Sequence, residues 1–259
     1  MEGRGRRVWA AQGTFLHVVY DRLCGAVSLG VARQGRIVGK VIEMSLTLYY
    51  HPLSSFCWKT LIALYEADIP FAPRLVNLGD PADRSAFQAV WPLAKFPVLR
   101  DDVAGRTIPE SSIIIDYLVR THHPAASLIP AHPDEALRTR LLDRLIDSYI
   151  HLPFQQIVSE RLRPEGRHDP YGVERNRDAI RAGYDLIAPM IAGPWAMGGD
   201  FTAADCAALP ALFYADYAVK LAGWPALSAY LDRLKTRPSV ARVLVEAGPY
   251  FQYFPLKDG

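Results

Sequence analysis

Between Met44 and Arg120 the hydrophobic period alternates between that of a strand and that of a helix in one particular order, and this order limits the fold more than any single motif. Leu46, Leu48 and Tyr50 alternate with Thr47 and Tyr49, the two-residue period of a strand. The segment SSFCWKTLIALYEADIP then carries Leu61, Ala63 and Leu64 at helical spacing, opened by serines able to cap it and closed before Pro70. A second strand is expected over 71–78, followed by a loop with Gly79, Asp80 and Pro81 and a short helix near 86–90. A strand around 97–99, a turn at Ala104 and Gly105, a strand around 106–108 and a helix from Glu110 to about Arg120 complete the series. The order β-α-β then β-β-α predicts a small mixed sheet covered by helices, an α/β unit over 44–122.

The stretch THHPAASLIPAHPDE places three prolines between helical runs and reads as a linker over 123–133. Beyond it, 134–259 is expected to be an all-α bundle. Leu137, Leu141, Leu145, Ile146 and Tyr149 trace one apolar stripe, and Ile180, Tyr184, Ile187 and Ile191 a second. Residues 204–219 are apolar nearly all round, as a central helix is, and Thr202 with Asp205 forms a capping box behind the apolar Phe201. Shorter helices are expected over 225–235 and 238–247. The first 43 residues differ from all of this: they hold seven of the 18 glycines, none of the 20 prolines, and seven Lys/Arg against three Asp/Glu. They are expected to lie outside the fold, as an extension or a mis-assigned start ahead of Met44.

Charge and cysteine content exclude several classes. With a net charge of +2 and the basic excess confined to that leading segment, the body has no basic stripe for nucleic acid. Cys24, Cys57 and Cys206 are odd in number and far apart, which fits neither a disulfide framework nor a metal site, and points to a reducing compartment. No apolar run is long enough to span a bilayer. His122 and His123, beside a proline, are expected to be solvated rather than metal ligands.

The chemistry is concentrated in YHPLSSFCWKTLIAL, residues 50–64. A helix start leaves unpaired N–H groups and a partial positive charge, so an anion is stabilised there, and Ser54 stands in the capping position. Ser54 and Ser55 are thus either ordinary caps or the wall of an anion site. Cys57, three residues on, is expected to be a buried packing residue.

Three motifs in order resemble the glutathione S-transferase superfamily, with the serine-type, zeta-like active-site pattern: SSxxWK at Ser54 to Lys59, KFPVL at Lys95 to Leu99, and ESSIIIDYL at Glu110 to Leu118. The resemblance covers nearly the whole chain from Met44. It implies a thioredoxin-like first domain and glutathione as co-substrate. Ser54, with Ser55 beside it, would donate to the thiol sulfur, and Tyr50, aligned with the tyrosine of other classes, is the alternative activator. Lys95, Phe96 and a cis Pro97 would meet the cysteinyl backbone of glutathione, and Glu110 with Ser111 its γ-glutamyl group. Conjugation, dehalogenation or isomerisation of an electrophilic small molecule is the implied chemistry. A glutathione-binding or structural protein without turnover is the alternative, and a thiol exchanger using Cys57 a third. Family members usually carry smaller residues where WPLAKFP has Trp91, Ala94 and Phe96. Tyr149, Pro153, Gln156, Tyr214 and Tyr217 are candidates to line the electrophile's pocket. A cytoplasmic homodimer is implied, with no nucleic-acid or membrane partner.

Overall fold

The computed structural model describes residues 45–122 and 128–256; residues 1–44, His123 with the next four residues of the linker, and 257–259 lie outside the described residues. The first half contains β1 (Leu46–Tyr50), α1 (Ser55–Glu66), β2 (Ala72–Leu75), α2 (Pro81–Val90), β3 (Val98–Asp101), β4 (Arg106–Pro109) and α3 (Ser111–Thr121). The four strands form one sheet in the order β2-β1-β3-β4. β1 and β2 run parallel, which requires the crossover that α1 supplies; the β1–β3 and β3–β4 pairs are antiparallel. The β3–β4 turn closes at Gly105, whose φ of +62° is costly for any residue with a Cβ.

Period two in β1 sends Leu46 and Leu48 to one face, where Trp58, Leu61 and Ile62 of α1 and Ile114, Ile115 and Leu118 of α3 bury them. The other face is closed by α2, through Phe87 on Val76, Leu78 and Val98. α2 begins five residues earlier than the pattern predicts. Asp80 caps it by accepting from Ala82 N at 2.8 Å, and Pro81 fits the first turn, where no donor is needed.

The second half is helical: α4 (Pro133–Ile146), one π-helical turn (Asp147–His151), α5 (Leu152–Arg161), α6 (Pro170–Ile187), α7 (Ala203–Ala215), α8 (Pro225–Thr236) and α9 (Pro238–Ala247). α7 is buried on nearly every side and packs on α1, with Trp58 against Phe213 and Tyr214 at ring-centroid distances of 5.2 and 4.8 Å. α9 joins the same face of α1 through Glu66, which accepts from Ser239 Oγ at 2.7 Å and pairs with Arg237.

Two expectations are corrected. The stripe through Leu137, Leu141 and Tyr149 faces outward, these residues being 67%, 48% and 51% exposed. The inner face of α4 is Ala136, Thr139, Leu142, Asp143 and Ile146, and on that face Asp143 pairs with the buried Lys59 ammonium at 2.6 Å. His122 is not a freely solvated side chain: its Nε2 lies 2.6 Å from Asp101 Oδ2, the oxygen to which Tyr117 also donates at 2.8 Å.

Candidate active site at the start of the first helix

The turn between β1 and α1 is held from three directions. Ser54 N donates to His51 O at 3.0 Å, Trp58 Nε1 to Pro52 O at 2.5 Å, and Tyr214 Oη of the helical half to Leu53 O at 3.0 Å. Ser54, extended at φ −77° and ψ 115°, is the N-cap: its Oγ accepts from Cys57 N at 3.4 Å. Because the hydroxyl acts as acceptor toward the helix, its proton is available to another acceptor, beside the unpaired N–H groups of the first turn.

A cavity of about 350 Å³ opens at this point, between the two halves. Of the site residues expected from the sequence it brings together Ser54, Ser55, Lys95 and Phe96. The Phe96–Pro97 bond is cis, and Pro97 is buried behind the lining. The bulk of Phe96 is taken up by stacking on His51 and Phe87, at 6.0 and 6.3 Å between ring centroids. Glu110 and Ser111 start α3 outside the cavity lining. Glu110 is exposed with φ +71°, a strained setting for a residue with a Cβ, and Ser111 is buried.

Tyr50 does not line the cavity. Burial, with Glu246 adding its negative charge, pushes its phenol up to about 12, so it stays protonated at neutral pH. Cys57 is buried and its thiol is likewise pushed up to about 12 by burial, the opposite of what a redox thiol requires.

Of the five residues expected to line the electrophile's side, only Tyr214 does so. Leu152, Phe154, Gln155, Val158 and Ser159 of α5 and Leu162 just after it take the place of Tyr149, Pro153, Gln156 and Tyr217, with Phe254 and Pro255 from beyond α9. The π turn at 147–151 rotates the helix relative to a continuous α period, so a phase extrapolated from α4 points the wrong side chains inward.

The pattern of single segments also missed what lies behind Ser55. Ser55 Oγ is 2.5 Å from His151 Nε2 and accepts from Gln155 Nε2 at 3.0 Å. His151 Nδ1 faces Asp147 Oδ1 at 3.7 Å, an electrostatic contact rather than a hydrogen bond. Asp147 Oδ2 pairs with Lys59 Nζ at 2.7 Å, and the same ammonium reaches Asp143 at 2.6 Å and Ser112 Oγ at 2.8 Å. Burial alone would lower the Lys59 pKa, but Asp147 and Asp143 outweigh it and hold the side chain charged. Burial pushes the His151 pKa down against the pull of Asp147, so the imidazole is neutral. A signal for this group exists: Asp147, His151 and Gln155 recur every fourth residue and so fall on one helical face.

Among known proteins, two family models match: "Glutathione S-transferase, N-terminal domain" over residues 48–126 and "Glutathione S-transferase, C-terminal domain" over residues 170–233. The maleylacetoacetate isomerase maiA of Aspergillus fumigatus is 30% identical over 209 residues, covering 76% of this chain and 89% of that protein. A glutathione S-transferase of Methylobacterium radiotolerans, solved with glutathione sulfonate, is 31% identical with a TM-score of 0.68, covering 76% of this chain and 93% of that one. A maleyl pyruvate isomerase, described as a bacterial zeta-class glutathione S-transferase, is 25% identical with a TM-score of 0.66 and covers 76% and 95% of the two chains. With both family models matched and a relative 30% identical over 76% of its length, the chain belongs to the glutathione S-transferase family and is zeta-like within it.

Proposed function

We propose that the protein is a glutathione-dependent enzyme in which Ser54 and the N-terminus of α1 stabilise the thiolate of glutathione for attack on an electrophilic small molecule. The observation that carries this reading is the Ser54 hydroxyl, capping α1 on the wall of a cavity that Lys95 and Phe96 also line. The remaining parts of glutathione go to neighbouring positions: the cysteinyl backbone to Phe96 ahead of Pro97, a carboxylate to Lys95, and the γ-glutamyl group to Glu110 and Ser111. Ser55 assists at the thiol and Tyr50 does not. Catalysis is then electrostatic stabilisation of an anion together with the positioning of two substrates.

Phe56, Leu152, Phe154, Val158 and Leu162 give the electrophile an apolar bed, which suits conjugation or dehalogenation of an apolar compound as well as isomerisation. Isomerisation draws support from relatives named for it. The domain limits of this reading are 44–122 and 134–259, joined by 123–133. The reading also includes a cytoplasmic location; no helix among the described residues is long and apolar enough to cross a membrane. It includes a homodimer as well, for which the exposed Ile113, Leu137 and Leu141 supply apolar surface.

Retention on immobilised glutathione combined with turnover of a chloronitroaromatic or of maleylacetoacetate is the expected result. Binding without turnover across a broad panel of electrophiles would favour a non-catalytic glutathione-binding protein instead.

A further inference from the structure

We propose that Ser55 and His151 carry the thiol proton away from bound glutathione, with Asp147 as the group that orients the imidazole. The inference rests on the glutathione reading above and adds what that reading lacks, a destination for the proton. Ser54 stabilises the thiolate as a donor, and a donor cannot remove the proton.

Ser55 is only 3% exposed, yet it forms part of the cavity wall, with Oγ 2.5 Å from His151 Nε2. The carboxylate facing Nδ1 favours the tautomer with its proton on that nitrogen, which leaves Nε2 as acceptor and Ser55 as donor to it. Gln155 Nε2 donates into one lone pair of Ser55 Oγ at 3.0 Å and fixes the hydroxyl in this direction. One lone pair remains, and it can receive a proton from the cavity side.

In the step, the S–H bond of glutathione breaks and its electron pair stays on sulfur. Ser55 Oγ takes that proton while its own passes to His151 Nε2, so the hydroxyl is regenerated and an imidazolium forms. Asp147 attracts the transient imidazolium, while burial and the Lys59 charge oppose it and return the proton once it has moved. Asp147 lies on the same turn, Lys59 of α1 stands beyond Asp147, and Asp143 of α4 offsets Lys59. From α1 the Phe56 ring stacks on the imidazole at 4.0 Å, and α5 brings Gln155. α6 packs on this turn through Gly183. Burial keeps His151 neutral at rest, so it is an empty acceptor when glutathione arrives and returns the proton to solvent or product afterwards.

The test is the rate at which thiolate absorbance appears when glutathione is mixed with the full chain, for the unchanged protein, Ser55→Ala and His151→Gln. Both variants should bind glutathione, and in both thiolate should appear more slowly by roughly 10²-fold, the range a positioned base supplies. Raising the concentration of a basic buffer should restore most of that rate, which a merely structural defect would not allow. Ser55→Ala removes one oxygen and covers the case in which His151→Gln, at a fully buried position, lowers the melting temperature. Thiolate appearing at the unchanged rate in both variants, or a slow rate insensitive to buffer, overturns the relay while leaving the role of Ser54 intact. No thiolate even in the unchanged protein would remove the glutathione reading and the relay together.

Discussion

Lys59 has no exposed surface and is charged, and this one residue governs much of the contact between the two halves. Two carboxylates and a hydroxyl from α3, α4 and the π turn converge on it, so removing it strands Asp143 and Asp147 in a dry site. Lys59→Met should destabilise the protein by about 3–5 kcal/mol in urea unfolding, as expected when one partner of a buried ion pair is lost. His51 gives a second prediction. Burial lowers its pKa to about 4, against 6.5 when free, so between those values the unfolded chain binds more protons than the folded one. Stability should therefore be fully present above pH 6.5 and fall by about 3 kcal/mol as pH drops toward 4, the size of a shift of this extent. His51→Asn, which keeps an acceptor for the Leu53 N–H, should flatten that slope in urea midpoints measured across the range. At this scale the sequence was legible where a role is local. Ser54 could be read as a cap because its partner, Cys57 N, is three residues away. The partners of Ser55 are 96 and 100 residues away, and only packing brings His151 and Gln155 to it.

Among the elements, α7 depends most on its first turn. Asp205 Oδ1 accepts from Ala196 N at 2.8 Å and Tyr230 Oη at 2.6 Å, while Oδ2 accepts from Thr202 N at 2.8 Å, so the capping box also ties down the preceding loop and α8. Thr202→Ala should cost about 0.5–2 kcal/mol, the usual loss of a cap. Asp205→Ala should cost more, roughly 3 kcal/mol or above, because three buried donors lose their acceptor at once. Chemical denaturation of the two variants side by side checks the order; equal losses would mean that the carboxylate is only a cap. The strands, α1 and α3 were legible from period, since each keeps a single phase over its length. α4 was not. Its exposed Leu137 and Leu141 look like a core stripe on a helical wheel, whereas its buried face includes Thr139 and Asp143, which a hydrophobic pattern discards.

The molecule as a whole works as a sheet unit and a bundle that meet along α1, with α7 and α9 packed on one side of it and the cavity at its N-terminus. Each wall of the cavity comes from a different half. Two of the three motifs, SSxxWK and KFPVL, therefore marked one wall of the cavity, while the opposite wall depended on a π turn that no periodicity announces. The outward Ile113, Leu137 and Leu141 are the surface expected to pair two copies; Leu137→Glu combined with Leu141→Glu should shift the protein to monomer in size-exclusion chromatography with light scattering. The central claim is that the start of α1 turns a thiol into a thiolate, and the pKa of enzyme-bound glutathione, followed by thiolate absorbance, tests it most directly. In the unchanged protein and in Tyr50→Phe it should lie at least about one unit below the ordinary thiol value of about 8.5, and in Ser54→Ala it should return toward that value. A bound thiol unaffected by Ser54→Ala, or one whose pKa rises in Tyr50→Phe, would contradict the assignment.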